Sequence, residues 1–200
     1  MISKILTSPQ VVYLALMWAI QIANEEIYAG ELRRLGLYTG VGGIYLVGII
    51  TCPFLHAGWL HLIGNTFAYI PLSVLCWKNF PFVFWFCVIL GGLIAWVITP
   101  PGTVAVGASG VIYGLWSYLI IRTLPVLFST FKQPSAKGFG QFTIMAVTSY
   151  LTVKMWGELW PGMVPGLVPR GISWQGHLGG AIAGVVAAFV KPFNQQNLEE

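Results

Sequence analysis

Long apolar runs broken by short polar stretches dominate the chain, and the runs have the length of bilayer-crossing helices rather than of strands. Hydropathy predicts about six spans, over residues 9–24, 58–77, 80–98, 108–121, 139–159 and 174–190. The first is short, and Lys154 and Glu158 interrupt the fifth, where the lysine stem could snorkel to the interface. Residues 35–55 are also uncharged and could be counted as a further span. Gly36, Gly40, Gly42, Gly43, Gly48 and Pro53 argue instead for an irregular, partly embedded loop whose backbone is covered by protein. The Pro- and Gly-rich stretch PGMVPGLVPRG before the last span predicts another irregular loop.

Two polar residues stand inside these runs. Ser109 lies in TVAVGASGVIYGLWSYLII and His177 in GISWQGHLGGAIAGVVAAFV, each beside glycine. A polar group inside a membrane is costly and normally faces the bundle interior. The topology brings such groups together. His61 lies near the start of the second span, Ser109 near the start of the fourth and His177 near the start of the sixth. Even-numbered spans run in the same direction, so all three reach one face at similar depth. Asn65 follows His61 by four residues, one turn deeper on the same helix face. Gly176, Gly180 and Gly184 on the sixth span, with Gly110 and Gly114 on the fourth, form small-residue stripes that let two backbones approach closely. Close approach is what a hydroxyl and an imidazole need to act as nucleophile and base. The plainer reading, helix-packing glycines and a serine bonded to its own helix, stands beside it.

Composition sets the class. The chain has 200 residues, 56% hydrophobic and only 8% charged, against roughly 25% charged in a soluble domain. This predicts an all-α, polytopic membrane protein, a six-helix bundle forming one transmembrane domain over residues 1–200, with its core at about residues 9–191. The net charge of +4 comes without a basic cluster interleaved with aromatics, so nucleic acid is not an expected partner. Six of the ten Lys and Arg residues fall on one side of the six-span topology and four on the other. The positive-inside rule then puts both termini in the cytoplasm, in a cell inner or plasma membrane. No removable N-terminal signal is expected, because the first residues show neither an Arg-rich start nor a small-residue cleavage site. Cys52, Cys76 and Cys87 lie in apolar surroundings without CxxC spacing and read as buried structural thiols.

Absent residues narrow the chemistry. The chain has no aspartate, and its six acids are glutamates in loops or at the C-terminus, which excludes a two-aspartate protease. HExxH is missing, and no acid stands beside a histidine, so no metal or other cofactor is expected. A Ser–His dyad is the economical reading, with the imidazole oriented by packing. A loop glutamate, Glu158 first, would be needed for a triad.

HAGWLHLIGN, GASG and GHLGG, in this order on the second, fourth and sixth spans, resemble the rhomboid intramembrane serine proteases. The resemblance runs from about Glu31 to Val190. It implies a six-helix fold with a water-filled cavity open to the outer face, Ser109 as nucleophile and His177 as general base. His61 and Asn65 would join the Ser109 backbone N–H as oxyanion donors. Tyr113 would pack on the His177 ring, although an aromatic in a helix interface is its plainer reading. Gly107 would loosen the chain before the nucleophile, and His56 would be structural. The implied partners are transmembrane protein substrates and membrane lipids. The chain departs from the family pattern in two places: no Trp precedes Arg33–Arg34, and the second span ends PLSVLCWKNF without an acid. Two other classes stay open at this point. One is a non-enzymatic relative that binds transmembrane helices. The other is a metal or haem protein using His56, His61 and His177.

Overall fold

The computed structural model describes residues 2–40, 42–132, 139–140, 143, 161–168 and 171–190. Those residues are mostly helical. A short α1 (Ile2–Leu6) leads into α2 (Pro9–Glu26), which opens with proline at its first position, where the missing N–H costs nothing. The following loop is fastened back onto α2. Asn24 Oδ1 accepts the Leu32 N–H at 3.0 Å and Arg33 pairs with Glu25, while within the loop itself Arg34 Nε meets Glu31 Oε2 at 2.6 Å.

Residues 35–55 are irregular only in their first part, as their glycines predict, whereas Gly43–Phe54 is an unbroken helical run. The strand β1 (Leu37–Tyr38) is followed by a 3₁₀ turn at Gly43–Val47, a single helical turn α3 (Gly48–Thr51) and a 3₁₀ turn at Cys52–Phe54. Gly43–Phe54 meets α4 (Trp59–Leu75) at 70°. A short strand was not expected from the sequence. β1 pairs antiparallel with β2 (Val104–Ala105), Leu37 opposite Ala105, and so ties this loop to the segment before Ser109.

The third expected span is one helical run of 22 residues, Trp77–Ile98. It comprises a 3₁₀ turn, α5 (Phe80–Phe86), a π-turn at Cys87–Gly91 and α6 (Gly92–Ile98). Among the described residues it is the one helix long and apolar enough to cross a bilayer unaided, and the bent pair Gly43–Phe54 and Trp59–Leu75 passes only when taken together. α7 (Ser109–Lys132) runs 24 residues, well past the expected end at residue 121. A hydropathy window stops at Arg122, but a helix needs only its backbone hydrogen bonds, and the Arg122 guanidinium finds the Ala188 carbonyl at 3.4 Å. α8 (Trp174–Val190) has the bounds expected for the sixth span, and with 17 residues it is an apolar helix shorter than the candidate bilayer-crossing length. The expected fifth span lies outside the described residues apart from residues 139, 140 and 143, as do Lys154, Glu158 and Arg170.

α7 is the hub, packing against α4, α5, the π-turn and most extensively α8. Its buried Val111, Ile112, Leu115 and Leu119 join Tyr69, Leu72, Phe80 and Val83 in the main core. The outward faces carry large apolar side chains, including Phe189 at 73% and Val97 at 71% exposure, while Gln10, Gln21, Asn24, Ser117 and His177 are buried. This is the reverse of a water-facing chain and fits a lipid surround.

Backbone contact between α7 and α8 explains the glycine stripes. A Cβ on Gly180 would stand 1.9 Å from the Gly110 carbonyl oxygen, and one on Gly184 would stand 2.0 Å from that of Gly114. Gly179 turns the other way, where a Cβ would lie 2.5 Å from the Gly91 carbonyl oxygen in the π-turn. Gly180→Ala therefore tests the packing. Alanine favours an isolated helix over glycine by about 1 kcal/mol. Here overpacking against rigid backbone, about 1–3 kcal/mol, outweighs that gain. The expected result is a lower thermal unfolding midpoint in detergent; an equal or higher one would mean that the two helices do not touch here.

Candidate functional site

The site is assembled at helix starts. Ser109 is the first residue of α7, and Ala108 caps the turn by accepting the Ile112 N–H at 3.0 Å. The first N–H groups of a helix have no partner within it and carry the positive end of its dipole. Before it, Gly107 takes φ +130°, a conformation that disfavours any side chain, and its N–H donates to the Cys52 carbonyl at 2.9 Å. His177 sits one turn into α8. Ser173 sets that start, because its hydroxyl accepts the Gly176 N–H at 3.1 Å in an N-cap bond.

These two helix starts bring His177 Nε2 within 2.9 Å of Ser109 Oγ. The other ring nitrogen, Nδ1, lies 2.9 Å from the Gly162 carbonyl oxygen. A carbonyl can only accept, so Nδ1 carries the proton and the Nε2 lone pair is left to accept from the serine hydroxyl. Tyr113 stacks on the imidazole, with ring centroids 4.3 Å apart and planes at 14°. His177 is 4% exposed, and Ser109 is half-buried. The imidazole is thus held by a backbone carbonyl on one edge and an aromatic face on the other.

His61 and Asn65 approach from α4. A Cβ on Gly107 would lie 2.8 Å from His61 Nε2 and 3.6 Å from Asn65 Nδ2, so both donors face the glycine two residues before Ser109. The Ala57 N–H points at His61 Nδ1, 3.4 Å away, which leaves the proton on Nε2. Asn65 is buried, and its Nδ2 has no hydrogen-bond partner among the described residues. An unsatisfied buried amide donor costs about 1–3 kcal/mol, and such a cost persists where a donor awaits a ligand. His56 is also buried, its ring edge-on to His61 at 5.1 Å. A narrow cavity of about 60 Å³ adjoins Ser109, with Gly107, Cys52, Cys87 and Gly176 in its wall.

Ser109, His177, His61, Asn65, Gly107 and Tyr113, all singled out in the sequence, therefore share one neighbourhood. The backbone groups that orient them were not singled out. The Gly162 carbonyl, the Cys52 carbonyl and the Ala57 N–H have no side-chain signature, although Ser173 immediately before Trp174 is a readable N-cap. Glu158 lies outside the described residues, among which no group of three or more His, Cys, Asp or Glu side chains could hold a metal ion.

Residues 44–192 match the Rhomboid domain family. Uncharacterized proteins of Mycobacterium tuberculosis and Mycobacterium bovis are each 36% identical over 157 residues, covering 72% of this chain and 59% of the relative. The chain thus spans about 59% of the length of these mycobacterial relatives. Rhomboid-like protein 11, chloroplastic, of Arabidopsis thaliana is 26% identical over 176 residues, 86% of this chain and 61% of the relative. With the motif-bearing segments of the second, fourth and sixth expected spans all inside the matched region, the chain belongs to the rhomboid family of membrane proteins.

Proposed function

We propose that this chain is a serine endopeptidase that cleaves transmembrane segments of other membrane proteins near the outer membrane face. The observation that carries the reading is the 2.9 Å approach of His177 Nε2 to Ser109 Oγ with Nδ1 turned to the Gly162 carbonyl. Ser109 Oγ attacks the carbonyl carbon of the scissile peptide while its proton passes to Nε2. The carbonyl oxygen becomes an oxyanion, met by the Ser109 N–H, His61 Nε2–H and Asn65 Nδ2–H. Collapse breaks the C–N bond, and the imidazolium returns the proton to the leaving amine. Water then repeats the cycle on the acyl-enzyme, with His177 again as base. Tyr113 keeps the ring in plane through both halves.

The substrate is a transmembrane protein whose helix unwinds readily near the outer face, because a peptide bond must leave helical hydrogen bonding to be attacked. The setting is a six-span, multi-pass protein of the cell inner or plasma membrane, both termini cytoplasmic, with the whole of residues 1–200 in one membrane domain surrounded by lipid. The test is a panel of single-span transmembrane reporters offered to the purified protein in liposomes, with a fluorophosphonate probe alongside. Cleavage within the reporter span and covalent labelling are expected. A protein that binds the reporters but neither cleaves nor labels would be a non-enzymatic helix binder.

Chelators should leave the activity intact. His177 has both ring nitrogens engaged, and among the described residues no group of three or more His, Cys, Asp or Glu side chains could form a ligand set. Reporter cleavage in EDTA is expected at the untreated rate; a loss restored by zinc would reverse the assignment.

A further inference from the structure

The segment from Cys52 to Ala57 supplies none of the donors assigned above, yet it touches both halves of the oxyanion cluster. The Cys52 carbonyl accepts the Gly107 N–H at 2.9 Å and the Leu55 N–H at 3.2 Å. At the other end, the Ala57 N–H faces His61 Nδ1. The position of Gly107 and the tautomer of His61 therefore both depend on where this turn sits. Its anchor comes from the first long helix. Tyr13 of α2, 4% exposed, donates its hydroxyl to the Pro53 carbonyl at 2.8 Å.

Pro53 couples that bond to the site. The peptide planes of the Cys52 and Pro53 carbonyls are separated by the two dihedrals of Pro53, and the ring locks φ near −65°. One rotation remains between the carbonyl that Tyr13 holds and the carbonyl that holds Gly107. Fixing the first plane restricts the second. The Tyr13 ring is itself confined among Phe54, Tyr69 and Phe84, with centroids 5.0, 5.2 and 4.4 Å away.

We infer that Tyr13 is a positioning residue, which through Pro53 and Cys52 holds Gly107 where the Ser109 amide and His61 meet the developing oxyanion. The inference rests on the serine-protease reading above. It places the first long helix, which contributes no residue to the site, in control of the turnover step.

Tyr13→Phe keeps the ring and removes only the hydroxyl. The expected result is a fall in kcat of about 3- to 10-fold, the effect of one net hydrogen bond, with KM within about twofold of wild type. Acylation of Ser109 by a fluorophosphonate should slow by the same factor, since it uses the same oxyanion donors. Tyr69→Phe is the control. It deletes an equally buried hydroxyl of the same aromatic cluster, bonded to the Gln10 carbonyl at 2.9 Å rather than to the turn. It should lower the melting temperature and leave kcat unchanged. Pro53→Ala, which keeps the carbonyl but frees φ, should reproduce the loss of kcat. Wild-type kcat in Tyr13→Phe, or equal losses in Tyr13→Phe and Tyr69→Phe, would overturn the inference. A wild-type Ser109 that neither labels nor cleaves would overturn the protease reading, and this inference with it.

Discussion

Replacing Ser109 by alanine is expected to abolish reporter cleavage in a protein that still folds and inserts. The substitution removes one oxygen. Its cost to structure is small, because Ser109 is only half-buried, the position opens a 24-residue helix, and alanine is the best helix former. Its cost to chemistry is large, because it removes the hydroxyl that meets His177 Nε2. His177→Ala should be equally inactive: it leaves the serine proton without an acceptor while the Tyr113 face and the Gly162 carbonyl remain in place. Catalysis of about 10³- to 10⁴-fold over water survives in serine proteases stripped of their nucleophile or base, far below what a gel-based reporter assay detects. The measurement is cleavage per hour in liposomes beside the melting temperature and the fluorophosphonate signal. Near-wild-type cleavage by Ser109→Ala would remove Ser109 from the mechanism. Loss of activity together with loss of the folded species would say nothing about the nucleophile, which is why the melting temperature is recorded on the same preparation.

Much of this site is legible in the sequence because its members are misplaced by composition. A serine and a histidine in uncharged apolar runs stand out against the cost of burying them, and the expected six-span order would put them on one face. His61 and Asn65 follow from a four-residue spacing on a helix whose observed limits, Trp59–Leu75, lie close to those expected. Backbone chemistry is different. That Nδ1 of His177 turns to the Gly162 carbonyl depends on where the turn at Pro161–Met163 sits against α8, and every residue has a carbonyl. The same holds for the Cys52 carbonyl on Gly107, and for the two-residue β ladder, too short to leave an alternating pattern. The length of α7 was underestimated because charge ends an apolar window without ending a helix. Tyr13 looks in the sequence like any aromatic in a span, and only its hydroxyl on Pro53 distinguishes it.

His61→Ala and Asn65→Ala should lower turnover rather than abolish it, and they should differ in what they do to stability. Each removes one oxyanion donor and leaves the Ser109–His177 pair whole. Loss of one such donor typically costs about 2.7–4 kcal/mol of transition-state stabilisation, roughly 100- to 1000-fold in kcat. Both donors face Gly107, so neither can fully replace the other without the glycine moving. For folding the two are unequal. Asn65 Nδ2 is buried with no partner among the described residues, so its removal relieves a desolvation cost of about 1–3 kcal/mol that offsets the packing lost with the side chain. His61 makes an edge contact with His56 and accepts from Ala57, and alanine forfeits both. Asn65→Ala is therefore expected to melt at or above the wild-type temperature while turning over 100- to 1000-fold more slowly, and His61→Ala to lose both activity and stability. A group kept at a cost to the fold and needed only when the substrate carbonyl acquires charge would behave in this way. Wild-type rates in both variants would put the oxyanion hole elsewhere. A large drop in the melting temperature of Asn65→Ala would make that residue a structural strut instead of a donor held in reserve.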